Sequence, residues 1–72
     1  MKLFQVNNDQ NKRILSILNS LYSKKVITYN EKIELSRIFE NLHYGDVNKA
    51  EMLLEKNNQY LFYQVKRILS YI

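Results

Sequence analysis

The sequence predicts a small all-α domain, a three- or four-helix bundle with short connections. Three observations carry that expectation. Apolar residues recur at steps of three and four over four stretches, the spacing of helices that each bury one stripe. Glycine and proline, the strongest interrupters of regular structure, are nearly missing: 72 residues contain one glycine and no proline. Residues suited to start and stop helices stand between the stretches, among them Thr28, Asp46 and the single glycine, Gly45.

Leu3, Phe4 and Val6 precede the first stretch, and residues 1–7 read as an extended arm that either packs on the bundle or trails from it. The first helix is expected to start near Asn8 or Asp9, both good caps. Ile14, Leu15, Leu18, Leu21 and Tyr22 then define its apolar face, with Ile17 off the stripe. Lys24 and Lys25 close it with the charge that a helix C-terminus favours. Val26-Ile27 is an apolar connection. Thr28-Tyr29-Asn30-Glu31 fits a capping box, in which the threonine hydroxyl accepts from the N–H three residues on and the glutamate accepts from the threonine N–H.

The second helix presents Leu35, Ile38, Phe39 and Leu42 and ends near His43-Tyr44. Gly45, lacking a Cβ, can take the left-handed conformation that closes a helix. Asp46 is a natural cap for a third helix, with Val47, Ala50, Leu53 and Leu54 facing inward. The last stretch carries Leu61, Val65, Ile68, Leu69 and Ile72, in phase with the third. Asn57-Asn58 is expected to break the two apart, because asparagine is a poor helix interior and a good cap. No repeat, linker or low-complexity tract interrupts the chain, so residues 1–72 read as one domain.

Composition excludes several classes. A domain this short buries only about 60% of the surface its unfolded chain exposes, and such chains often add disulfides, metals or self-association. Cysteine is absent, which removes disulfides and thiolate metal sites. His43 is the only imidazole, so a zinc site would need an unusual set of carboxylates. No glycine-rich phosphate loop can be built from one glycine. The pairs Glu31/Glu34 and Glu51/Glu55 lack histidine partners at the spacing of a di-metal bundle and read as solvated faces. No catalytic set, cofactor or metal is expected. No apolar run approaches the roughly 18 residues that span a bilayer, and the start has no secretory pattern. The expected location is cytoplasmic, with no membrane partner.

The formal charge is +4, and it is unevenly spread. Residues 1–25 and 58–72 are basic, whereas 26–57 carry a small acidic excess. Three basic dyads stand at Lys12-Arg13, Lys24-Lys25 and Lys66-Arg67. A Gly45-centred helix-turn-helix is disfavoured, since its recognition helix would carry Glu51 and Glu55 towards phosphates. On the last helix the spacing groups Tyr60, Gln64, Arg67 and Tyr71, and tyrosine with arginine is the composition of interface hot spots. Ile17, Ile33, Met52, Phe62, Tyr63 and Tyr71 lie off the main stripes, a surplus that marks an interface.

The leading functional expectation is therefore a non-enzymatic protein that binds another protein as a regulator or inhibitor. Tyr60, Phe62, Tyr63, Arg67 and Tyr71 are its candidate contacts, and a second copy of the chain is one partner to consider. The rival expectation is nucleic-acid binding through Lys12, Arg13, Lys24, Lys25, Lys66 and Arg67.

Overall fold

The computed structural model describes residues 3–56 and 59–72. They form four helices with no strand: α1 (Asn8–Ser23), α2 (Tyr29–Tyr44), α3 (Val47–Glu55) and α4 (Gln59–Tyr71). α3 and α4 are thus separate elements, while Asn57-Asn58, the expected break, lie outside the described residues.

Asn7, one residue before the expected start, caps α1. Its side chain accepts from the Gln10 N–H at 2.8 Å, and Gln10 returns its own oxygen to the Asn7 N–H at 2.9 Å. α2 opens with the same reciprocal pair, as expected: Glu31 N–H to the Thr28 hydroxyl at 3.1 Å and Thr28 N–H to Glu31 Oε1 at 2.8 Å. Asp46 caps α3 by accepting from the Lys49 N–H at 3.2 Å. Each cap satisfies backbone donors that the first turn of a helix leaves unpaired.

α1 and α2 also end alike. After α2, Gly45 adopts φ 89°; its N–H donates to the Leu42 carbonyl at 3.3 Å and the Asp46 N–H to the Asn41 carbonyl at 2.8 Å. After α1, the Lys25 N–H donates to Tyr22 at 3.0 Å and the Val26 N–H to Leu21 at 2.9 Å. Both are Schellman closures, which need a left-handed residue just past the helix. α1 fills that position with a lysine, Lys25, at φ 60°. Sequence reasoning assigned the left-handed role to Gly45 alone.

α1 and α2 run antiparallel: the Tyr22 and Tyr29 rings meet at one end, centroids 6.0 Å apart, and His43 meets Asn8 at the other, 2.7 Å apart. α3 returns along α2, so that Asn41 and Lys49, and Arg37 and Leu53, border one depression. α4 packs on α1 and α2, and at its start the Tyr60 hydroxyl donates to the Val26 carbonyl at 2.7 Å.

The core comprises Leu3, Val6, Ile14, Leu18, Ile27, Leu35, Ile38, Phe39, Leu42, Ala50, Leu54, Leu61, Val65 and Ile68. Every inward position expected on α2 is buried, and those on α3 and α4 are buried or packed against the core. The α1 face needs correction. Leu15 and Tyr22 are exposed, while Ile17, placed off the stripe, packs on the core together with Leu21. The buried face is thus centred on Ile14 and Leu18 with Ile17 and Leu21 beside them. Leu15 and Tyr22 lie on the flank along α2.

The N-terminal arm is docked. Leu3 and Val6 are buried, the Val6 N–H donates to the Leu42 carbonyl at 3.2 Å, and the Gln5 side chain lies over Gly45. One end of α2 is therefore covered by the chain's own start.

Three stability measurements check these ends. Gly45→Ala is expected to destabilise by about 1 kcal/mol, from the left-handed backbone less the entropy alanine removes from the unfolded chain; the added Cβ also displaces Gln5 Nε2, which would stand 3.1 Å away. Lys25→Gly is expected to do the reverse, stabilising by about 0.5–1 kcal/mol and raising the melting temperature by a few degrees. Thr28→Ala should lose about 1 kcal/mol, and Thr28→Ser should melt as the parent does. Urea melts of the four variants decide all three points.

Candidate functional site

The outer side of α4 is the first candidate. A helix that buries Leu61, Val65 and Ile68 turns Tyr63, Lys66, Arg67 and Ser70 to the opposite side, and these four border one shallow depression. Tyr63 and Tyr71 are 65% and 64% exposed. No aspartate or glutamate occurs anywhere in α4. The face is aromatic and cationic, with no carboxylate of its own helix to neutralise it.

The residues proposed from sequence divide on this geometry. Tyr63 and Arg67 stand on the outer side, and Tyr71, exposed near the end of the helix, stands towards its edge. Tyr60 stands at its edge, its hydroxyl committed to Val26. Phe62 is half-buried and packs against the core, so it is not a free contact. Gln64, grouped with Tyr60, Arg67 and Tyr71 by spacing, is 4% exposed. At 100° per residue it lies about 20° from Tyr71 and about 40° from Ile68, on the margin where the stripe turns inward. Its Oε1 is buried without a hydrogen-bond partner among the described residues.

A second cluster surrounds the α1–α2 turn, at the other edge of Tyr60. Tyr22 and Tyr29 pack edge to face at 62°, and Lys32 Nζ lies 4.9 Å from the Tyr22 ring centroid. Lys25, Tyr22, Ser23, Ile27 and Thr28 border an open depression of about 480 Å³. Lys24 and Val26 are exposed beside it. Sequence reasoning marked Lys24 and Lys25 but missed the tyrosines, because Tyr22 was assigned to the core and Tyr29 to a cap. Only the hairpin brings their rings together.

The basic dyads do not form one compact patch. Lys12 and Arg13 lie on the N-terminal half of α1, about 18 Å along the helix from Lys24 and Lys25. Lys66 and Arg67 occupy the middle of α4. All six are exposed. Two of the dyads have aromatic neighbours, the one at the turn beside Tyr22 and the one on α4 beside Tyr63.

His43 has a structural connection. Its Nε2–H donates to Asn8 Oδ1 at 2.7 Å, tying the last turn of α2 to the first of α1, and its ring lies beside Tyr44. Glu31 is occupied in its capping box. Among the described residues no group of three or more histidine, aspartate or glutamate side chains is placed to hold a metal ion, and no helix is long and apolar enough to cross a membrane.

No protein-family model, curated protein or solved structure matches the chain.

The buried amide of α4 gives a further check. An acceptor desolvated without a partner lowers stability by roughly 1–3 kcal/mol. Gln64→Met keeps the side-chain length and removes the orphaned oxygen, and it is expected to raise stability by about 1 kcal/mol in urea melts.

Proposed function

We propose that this chain is a small binding protein that acts as a regulator or inhibitor by docking the outer side of α4 on another protein. One observation carries the reading: Tyr63 and Tyr71 are mostly exposed beside Lys66 and Arg67, on a helix with no carboxylate. Tyrosine and arginine give large contact area together with directed hydrogen bonds, which is why they dominate interface energetics. The charge on this side suits an acidic partner surface. The single histidine is engaged with Asn8.

A comparison of captured proteins tests this. Immobilised chain is exposed to an extract of its native host, alongside the double variant Tyr63→Glu/Arg67→Glu and the control Tyr44→Glu, which alters an exposed tyrosine on α2. The expected result is a protein, held after nuclease treatment, that the double variant loses and the control keeps. Sedimentation at micromolar concentration identifies the case in which that protein is a second copy of the chain. Capture unaffected by the double variant would overturn the proposal.

A further inference from the structure

We infer that the α1–α2 end of the bundle is a second binding surface and that its ligand is a single strand of nucleic acid. The inference starts from the backbone. α1 and α2 close with the same pair of hydrogen bonds, yet one uses Gly45 and the other Lys25 at the left-handed position. Glycine is the more stable choice there, because a Cβ crowds the following carbonyl. Non-glycine residues held in the left-handed region cluster at functional sites, which directs attention to the Lys25 side chain. The Lys25 side chain borders the depression at this end, together with Tyr22, Ser23, Ile27 and Thr28.

The surroundings of Lys25 state the chemistry. Tyr22 and Tyr29 are 41% and 58% exposed; they pack edge to face with Lys32 Nζ over the Tyr22 ring, so exposed aromatic surface and a cation stand side by side. Between Tyr22 and Lys32 the chain carries Lys24, Lys25 and Lys32 against one acid, Glu31. That acid is turned to the backbone, accepting the Thr28 N–H. Tyr60 holds the turn in place through the Val26 carbonyl.

Lysines that meet regularly spaced anions, interleaved with rings that meet flat faces, form the arrangement that binds single strands by phosphate contact and base stacking. An acidic protein segment would use the lysines but has no flat group beside each charge for the rings to meet. A duplex would keep its bases stacked inside. An unpaired strand satisfies both sets of groups at once.

Fluorescence anisotropy with a labelled twelve-nucleotide oligo(dT) tests this, with a duplex of equal length and poly-glutamate as competitors. Contacts from three lysines predict a log–log salt dependence near −2, at roughly −0.7 per phosphate on a single strand. Lys25→Gly is the decisive variant, because it should melt higher than the parent while binding several-fold more weakly with a flatter salt slope. Tyr29→Ala should weaken binding about tenfold, with Tyr63→Ala and Tyr44→Ala leaving it unchanged. Retained affinity in Lys25→Gly would overturn the inference. So would competition by poly-glutamate or duplex equal to that of the strand, which would assign the surface to acidic protein or to unspecific charge. Because Tyr63→Ala reports on α4 separately, failure here is distinguishable from failure of the α4 proposal.

Discussion

The whole structure depends on the burial of one line of side chains on α2. Leu35, Ile38, Phe39 and Leu42 are each at most 1% exposed, because α2 is the helix against which α1, α3 and α4 all pack. A 72-residue chain has too little volume for a second such line. The outer helices therefore bury one stripe each and leave the remainder of their surface to solvent. The arm completes the arrangement at one end, where Leu42 offers its carbonyl to the Val6 N–H as well as to Gly45. That carbonyl is one of those a helix end leaves without partners inside the helix, so docking of the arm and closure of α2 occur at the same atom.

Legibility of the fold followed how local each cause was. The Thr28 capping box, the Asp46 cap and the left-handed Gly45 are settled by residues within a few positions, and the sequence displays them. The α2 stripe was also plain, since Leu35, Ile38, Phe39 and Leu42 recur at steps of three and four and polar residues fill most of the other faces. α1 was not. Ile14, Leu18 and Leu21 belong equally to a face widened by Leu15 and Tyr22 or to one widened by Ile17, and periodicity weighs the two alike. The position of α2 decides, and that is a tertiary fact. The helix begins at Asn8 as expected, but its cap is Asn7 rather than Asn8 or Asp9, and Gln10, three positions after Asn7, was the available sign of a capping box.

The candidate surfaces were less legible than the fold for the same reason. The α4 side could be drawn from spacing apart from its margins, where Gln64 turned inward and Phe62 joined the core. The turn cluster has no local signature. Tyr22, Tyr29 and Tyr60 are assembled by the hairpin and by one hydrogen bond from α4 to Val26. Nothing in the sequence around Lys25 announces a left-handed residue, which is ordinarily the province of glycine and asparagine.

The paired closures of α1 and α2 make a comparison inside one molecule. Their hydrogen bonds are equivalent and their backbones both left-handed, so the difference between Lys25 and Gly45 is a difference of side chain alone. At Gly45 the space above the turn is taken by Gln5 from the arm, and a side chain there would displace it. At Lys25 the turn is open, and a long cation meets no such obstruction. Steric freedom explains why a lysine is tolerated at the α1 end. It does not by itself give the lysine a role, since local conformational energy favours glycine at this position. The role proposed for its charge rests on its neighbours, the exposed rings of Tyr22 and Tyr29 and the further lysines Lys24 and Lys32.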